Sequence, residues 1–274
     1  MVAPAAKARV DARVDVSRHG RVLQLLIDNP AQRNAVKREI STAMTRELRL
    51  ASADDSVGAV VIAGAGAHFC SGGDLTTLHA SRVENPPQHH IERVSALNEF
   101  IRAIRQCTKP VIAAVEGNAA GAGFSIAFAC DMIVAADKAQ FVLAYVKIGL
   151  SPDGAGTFFL SRSLPPQLAA ELAMTGAPVG AARLASLGVV NRLVPAGKAL
   201  EEGRALAATL ASGATNAIAR IKHLLNAAQL GTYETQLELE RSLMVEALHG
   251  DEAGEGIGAF LEKRKARFHP QGPG

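Results

Sequence analysis

Two short, wholly apolar runs constrain the fold of this chain most. Residues 57–63 and 111–115 contain no polar side chain, which is typical of strands buried on both faces of a parallel sheet. Between them, Val94, Leu97 and Ile101 recur at a spacing of three or four, which predicts a helix over residues 91–107. A helix over 120–130 and a strand over 132–136 continue the alternation. The pattern predicts an α/β fold in which helices cover parallel strands.

The ends of the chain have a different character. Residues 13–16 and 21–27 flank His19-Gly20 as a predicted hairpin, and residues 36–52 have helical periodicity. After about Pro165 the chain becomes mostly helical. Further helices are predicted at 168–174, 181–187, 196–211, 216–228, 232–249 and 252–265, with one strand at 189–194. We therefore predict a flexible tail (1–12), an α/β core (13–195) and a helical C-terminal region (196–274), with residues 75–90 as a mobile loop.

Charge and cysteine content limit the classes of function. The net charge of +3 is too small to indicate nucleic-acid binding. Cys70, Cys107 and Cys130 form no CxxC pair, so neither a disulfide framework nor a zinc site is indicated, and a reducing cytoplasm fits best. The longest apolar, uncharged stretch, residues 119–130, is shorter than the about 20 residues needed to cross a bilayer. We expect no membrane or nucleic-acid partner.

The N-terminal segment lacks the apolar region of a signal peptide. We interpret it as a flexible tail. Because it is rich in Ala and Arg, a transit peptide stays open as the alternative.

Two glycine-rich turns follow two of the predicted strands. Neither has a dinucleotide-binding fingerprint, because Phe69 and Ile126 stand where that motif needs a small residue, and neither contains Gly-Lys-Ser or Gly-Lys-Thr. Small residues do allow backbone N–H groups to approach a ligand oxygen, and two such turns at adjacent strand ends can form an oxyanion hole. Tight packing of a small-residue helix on the sheet is the alternative.

One acid interrupts an apolar stretch. Asp153, in KIGLSPDGAGTF, is the single carboxylate between residues 139 and 161. It is interpreted either as a helix N-cap, since Asp accepts hydrogen bonds from a first helical turn, or as a catalytic group.

Several segments together resemble the crotonase superfamily, the group of enoyl-CoA hydratases and isomerases. They are NPAQRNAV (29–36), AHFCSGGDL (67–75), KPVIAAVEGNAAGAGF (109–124), CDMIVAAD (130–137) and AFLEKRKARF (259–268). The resemblance spans residues 14–268. It implies a ClpP/crotonase-like spiral of ββα units with a helical C-terminal trimerisation domain, assembled as a homotrimer or a hexamer of two trimers. It implies an acyl-CoA thioester substrate, with no cofactor or metal beyond the coenzyme A of that substrate.

The resemblance also implies roles for individual residues. Gly73 and Ala122 would provide the two oxyanion amides, and Asp153 the catalytic carboxylate. Lys263 would reach the coenzyme A phosphates, from the same or a neighbouring subunit, unless it is an ordinary solvated lysine. The other substrate-binding residues would be Arg33, Ala35, Ser71, Asp74, Leu75, Gly121, Tyr145 and Leu150.

The reaction depends on which acids surround the hole. Hydratases of the family use two glutamates, and this chain has Ser125 and Tyr145 at those positions. Asp153 falls where some enoyl-CoA isomerases carry their one carboxylate, and residues 141–162 resemble the phenylacetate-pathway isomerase, which rearranges a ring epoxide to an oxepin. One base suffices for such a shift. We therefore expect an isomerase.

Other functions stay open as alternatives. They are an enoyl-CoA hydratase and an acyl-CoA binder that has lost its chemistry. An aryl-CoA dehalogenase is disfavoured, because its helix histidine has no clear counterpart when His89 and His90 lie in a predicted loop. RNA binding through the first helix is disfavoured by its mixed charges. His68 is expected to face outward and Cys70 to be a small packed residue.

Overall fold

The computed structural model describes residues 12–269 as two sheets surrounded by helices. The strands are β1 (Arg13–His19), β2 (Val22–Asp28), β3 (Ala59–Gly64), β4 (Val111–Val115), β5 (Asn118–Ala120), β6 (Met132–Ala136), β7 (Gln140–Val142), β8 (Val179–Gly180) and β9 (Arg192–Val194). The helices are α1 (Arg38–Ala53), α2 (Leu75–Glu84), α3 (Pro87–Gln106), α4 (Ala122–Ala129), α5 (Gly156–Ser163), α6 (Pro166–Thr175), α7 (Ala181–Ser186), α8 (Ala199–Ala211), α9 (Thr215–Ala228), α10 (Tyr233–Leu248) and α11 (Asp251–Leu261).

The larger sheet has the strand order β1-β2-β3-β4-β6-β9. β1 pairs antiparallel with β2, and every other neighbouring pair is parallel. Along β3, Val60 and Ile62 face a core that includes α1 and α3, whereas Val61 and Ala63 face α8. This alternation follows from the two-residue period of a strand. Burial on both faces explains why the apolar runs are continuous.

The smaller sheet, β5-β7-β8, runs beside the larger one. The chain alternates between the two, because β4 and β6 are neighbours in the larger sheet while β5 and β7, which follow them directly, pair in the smaller. Helix α4 then follows β5. These repeated strand–strand–helix units form the spiral that the sequence resemblance implied.

The segment predicted as a mobile loop is helical, so that prediction was wrong. Residues 75–84 form α2, and α3 begins at Pro87. The Asp74 side chain accepts hydrogen bonds from the amides of Thr76 and Thr77 and so caps α2. Proline is favoured in the first turn of a helix, because an amide there has no intrahelical acceptor. Pro86-Pro87 therefore marks a helix start rather than a loop.

The predicted hairpin, the α/β alternation and the C-terminal helices are confirmed in position. Strands β5, β7 and β8 and helix α5 were missed. The predicted tail, residues 1–12, lies outside the described residues except for Ala12. Helix α8, the first of the predicted C-terminal region, packs on the larger sheet.

Helices α9, α10 and α11 and the turn between α9 and α10 carry exposed apolar side chains. We call these residues the C-terminal apolar surface: Leu225, Leu230, Tyr233, Leu237, Met244, Val245, Leu248, Ile257, Phe260 and Leu261. Within residues 12–269, no helix combines the length and the apolar character required to cross a membrane.

Candidate active site

A cavity of about 470 Å³ opens beside the two glycine-rich turns. Its walls come from the start of α1, residues 71–73, the start of α2, the middle of α3, Gly121-Ala122 and the segment 144–153. Much of this lining is apolar.

The two glycine-rich turns lie side by side because their backbones pair. The Cys70 amide donates to the Asn118 carbonyl (3.1 Å), and the Ala120 amide donates to the Cys70 carbonyl (2.9 Å). Gly72 adopts φ +97, and a Cβ at this position would lie 2.9 Å from the Ala120 oxygen. Both constraints require glycine.

Two backbone amides at this junction are not used in the fold. Ala122 is the first residue of α4, so its N–H has no acceptor within the helix. Neither the Ala122 nor the Gly73 N–H donates a hydrogen bond to another described residue. Both residues line the cavity. The cavity is therefore bordered by two N–H groups that are available to a ligand.

Asp153 lines the cavity from the loop that precedes α5. The Tyr145 hydroxyl donates to Asp153 Oδ1 at 2.6 Å, and the buried Ser125 hydroxyl donates to the Asp153 carbonyl oxygen at 3.0 Å. Burial, followed by the charge of Asp153, raises the pKa of Tyr145 well above its usual value. The phenol therefore keeps its proton and orients the carboxylate, while Asp153 Oδ2 accepts no hydrogen bond from the described residues.

The interpretation of Asp153 as a helix cap was wrong. Helix α5 begins at Gly156, its N-cap is Ala155 in the left-handed conformation, and no side chain caps it. The Asp153 backbone carbonyl accepts a hydrogen bond from the Gly156 amide (3.2 Å). The main chain therefore forms this turn, and the Asp153 carboxylate is not used to cap α5.

Asp74 has a structural environment of its own. Its side chain caps α2, accepts from Thr77 Oγ1 (2.7 Å) and lies 3.8 Å from Lys37 Nζ. Burial acts to raise the pKa of this carboxyl, but hydrogen bonds from Thr77 and Gln32 and the charge of Lys37 outweigh burial, and the net shift is downward. Asp74 therefore stays ionised behind the cavity wall.

The structure brings most of the predicted site residues together. The cavity is lined by Ser71, Gly73, Leu75, Gly121, Ala122, Tyr145, Leu150 and Asp153. Arg33, Ala35, Asp74 and Lys263 are not among its lining residues. Arg33 is exposed and its carbonyl accepts from the Ser71 amide (3.0 Å), Ala35 is buried, and Lys263 follows α11 at the surface.

Sequence reasoning missed the wall that α3 contributes. Arg93, Val94 and Leu97 line the cavity. The helical spacing of Val94 and Leu97 predicted a buried face, but nothing in the sequence indicated that this face borders the glycine-rich turns. Lys37, Arg38 and Lys147 also line the cavity and add positive charge to it.

Other candidate side chains are now placed. Cys70 is buried, and burial raises the pKa of its thiol to about 12, so it is a packed residue rather than a nucleophile. His68 is half-buried with Nδ1 inaccessible, and it is not among the lining residues of the cavity. His89 and His90 lie on α3 rather than in a loop, but neither is among the lining residues.

The fold and the cavity define a protein of the crotonase class, and solved structures agree. An enoyl-CoA hydratase from Polaromonas sp. JS666 matches with a TM-score of 0.91 and 46% identity, covering 93% of this chain and 98% of that one.

Known sequences give the family. The family described as enoyl-CoA hydratase/isomerase matches residues 17–271. The 1,2-epoxyphenylacetyl-CoA isomerase of Escherichia coli (strain K12) is 32% identical, with 90% of this chain and 94% of the relative covered. The 2,3-dehydroadipyl-CoA hydratase of the same organism is 33% identical, with 92% and 97% covered. The chain belongs to the enoyl-CoA hydratase/isomerase family and is an acyl-CoA enzyme of that group.

Proposed function

We propose that this protein is an enoyl-CoA isomerase in which Asp153 is the one catalytic carboxylate. The observation that carries the proposal is the composition of the cavity. Among its described lining residues, Asp153 is the single acid, and it faces the cavity together with the free amides of Gly73 and Ala122.

The proposed reaction moves one double bond by two proton transfers. The thioester oxygen accepts hydrogen bonds from the Gly73 and Ala122 amides, and these stabilise the negative charge that forms on it. Asp153 Oδ2 removes a proton from the α-carbon of a 3-enoyl-CoA, which gives a dienolate. The same carboxyl returns the proton to the γ-carbon, and the 2-enoyl-CoA results. No atoms are gained or lost.

Tyr145 and Ser125 support an isomerase rather than a hydratase. A hydratase has to hold and activate a water, which two carboxylates do in the hydratases that this chain resembles. Here the Tyr145 hydroxyl donates to the Asp153 carboxylate and the Ser125 hydroxyl donates to the Asp153 backbone carbonyl. Neither hydroxyl therefore provides a second base. The similarity to 1,2-epoxyphenylacetyl-CoA isomerase supports ring-epoxide isomerisation as a second form of the same enolate chemistry.

Coenzyme A is proposed to bind along the charged side of the cavity. Lys37, Arg38 and Lys147 line it, and ammonium and guanidinium groups suit phosphates. Lys263 is exposed and does not line this cavity, so we assign it to the coenzyme A of a neighbouring subunit in a homotrimer or hexamer. Three buried free cysteines support a reducing compartment, the cytoplasm.

The test is a paired assay of wild type and Asp153→Asn. One arm follows the conversion of a 3-enoyl-CoA to its conjugated 2-enoyl isomer, and the other follows water addition to a 2-enoyl-CoA. We expect wild type to isomerise and to hydrate poorly, and the variant to lose isomerisation by about 100-fold or more, as loss of a general base typically costs. Fast hydration by wild type would favour the hydratase, and full activity of the variant would exclude Asp153.

The oxyanion hole needs a variant of its own. Ala122→Pro removes the amide proton at a first helical position, where proline is tolerated, whereas Ala122→Gly keeps it. Loss of one such donor costs about 100- to 1,000-fold in kcat. We expect this loss only for proline. If the protein is an acyl-CoA binder that has lost its catalytic activity, wild type and all variants would bind acyl-CoA, and none would exchange the α-proton of the ligand.

A further inference from the structure

Arg93 brings a guanidinium without a protein partner to the cavity wall. The residue is half-buried, and its Nε is inaccessible to solvent and has no hydrogen-bond partner among residues 12–269. The nearest acids along α3, Glu92 and Glu99, form ion pairs with other arginines. Because it is costly to leave a desolvated donor unpaired, this arrangement indicates a partner that binds in the cavity.

The guanidinium lies beside one of the two amides assigned to the thioester oxygen. Arg93 Nη1 is the atom that a Cβ added to Gly73 would meet, at 3.4 Å. A carbon–carbon bond is about 1.5 Å long, so Nη1 lies within about 5 Å of the Gly73 Cα. The Gly73 N–H and the guanidinium therefore border the same part of the cavity.

Asp153 lies toward the other end of the same helix wall. Leu97 is four residues, or about 6 Å, further along α3 than Arg93. It borders the Asp153 loop, because a Cβ added to Gly154 would lie 3.2 Å from Leu97 Cδ2. In the described part of the chain Asp153 forms no ion pair with Arg93, and its carboxylate accepts from Tyr145 instead. The positive charge therefore stays at the Gly73 end and is not neutralised by the base.

Proton abstraction would move negative charge along this wall. Before the reaction the charge is on the Asp153 carboxylate. In the dienolate that carboxyl is neutral, and the charge is on the thioester oxygen at the Gly73 amide. A cation at the Gly73 end stabilises the second arrangement more than the first, and only such a difference accelerates the chemical step. The guanidinium can also donate a charge-assisted hydrogen bond, which is about twice as strong as a neutral one.

We propose that Arg93 is a third donor of the oxyanion hole, whose guanidinium binds the thioester oxygen and stabilises the dienolate. The electrons of the α-carbon–hydrogen bond move onto that oxygen, the proton moves to Asp153 and then to the γ-carbon, and Arg93 keeps all its protons. The proposal rests on the proposed isomerase function for its kinetic test but not for its spectroscopic test.

The spectroscopic test uses a ligand that forms an enolate without isomerisation. Acetoacetyl-CoA ionises to an enolate that absorbs in the near ultraviolet, and a cation at the thioester oxygen lowers the pH at which it ionises. We compare Asp153→Asn with the Asp153→Asn/Arg93→Met double variant, so that Asp153 cannot take the proton. The titration midpoint of the bound ligand is expected to lie about one to two pH units higher in the double variant. That shift corresponds to the about 10- to 100-fold loss expected on removal of a charged hydrogen bond.

The kinetic test follows the conversion of a 3-enoyl-CoA to its 2-enoyl isomer. We expect Arg93→Met to lower kcat by about 10- to 100-fold with little change in KM. Arg93→Lys should recover part of this loss, because lysine keeps the charge but not the planar fork of donors. Arg102→Met is the control in both tests, since Arg102 lies on α3 outside the cavity and pairs with Glu99.

The outcomes separate this proposal from the isomerase function. An unchanged titration midpoint in the double variant overturns the role of Arg93, whether or not the protein isomerises. Weaker binding of acetoacetyl-CoA with an unchanged midpoint also overturns it, because Arg93 would then contribute to binding alone. A shifted midpoint supports the role of Arg93 even if wild type fails to isomerise a 3-enoyl-CoA, which would overturn the isomerase function only.

Discussion

At the scale of single residues, the Tyr145–Asp153 pair makes stability depend on pH. The folded state raises the pKa of Tyr145 above its usual value of 10.0. Above that value an unfolded chain loses the phenolic proton while the folded protein keeps it, so the unfolded state binds fewer protons and the free energy of unfolding falls as pH rises. Below it, the contribution is constant.

The measurement is urea unfolding of wild type and Tyr145→Phe. Their difference in unfolding free energy is expected to shift against wild type by about 1.4 kcal/mol between about pH 9 and pH 11. Tyr233→Phe, which changes the chain's other tyrosine at the surface, is the matched control. Parallel pH profiles of wild type and Tyr145→Phe would mean that the folded protein does not hold this proton.

The sequence indicated Asp153 as a site residue but left its local role open. A lone acid before a helix fits a cap as well as it fits a base. The role of Asp153 depends on Ala155, whose left-handed conformation turns the main chain before α5. It also depends on Tyr145, whose hydroxyl donates a hydrogen bond to the Asp153 carboxylate. Both effects are set by tertiary packing rather than by residue type.

At the scale of elements, helix α2 depends on its cap. Asp74 Oδ1 accepts from the Thr76 and Thr77 amides at 3.1 and 3.2 Å, and replacing such a cap with alanine costs about 1 kcal/mol. We expect Asp74→Ala to weaken the hydrogen-exchange protection of residues 76–84 by about fivefold. Asp55→Ala, an exposed change outside α2, is the control. Unchanged exchange in α2 would show that packing alone holds the helix.

Elements were predictable where the apolar pattern is long enough to indicate a type of structure. β3 and β4 are continuous apolar runs, and α1 and α3 repeat apolar side chains at a helical spacing. β5, β7 and β8 have two or three residues each, too few for any periodicity, and they exist because the Cys70 segment and neighbouring strands supply their hydrogen bonds. The same limit hid Arg93, whose approach to Gly73 joins elements that are distant in sequence.

At the scale of the whole molecule, we expect the C-terminal apolar surface to be covered by a second copy of the chain. Exposed apolar patches of this kind mark protein interfaces, and closed symmetric assemblies are the usual result. We expect light scattering to give three or six times the mass of one chain. Phe260, 82% exposed, lies three residues before Lys263, so the surface that joins subunits would also carry the lysine assigned to a neighbour's coenzyme A.

Phe260→Asp tests both assignments together. Burial of a phenylalanine contributes about 1.5–3 kcal/mol per copy, and a buried carboxylate opposes association further. The variant is therefore expected to dissociate at low micromolar concentration and to bind coenzyme A thioesters more weakly, since Lys263 no longer reaches the neighbouring site. Val83→Asp, at a position 80% exposed on α2, should leave the mass unchanged. If the variant dissociates but binds coenzyme A thioesters with unchanged affinity, the interface assignment is supported and the assignment of Lys263 to the binding site is excluded.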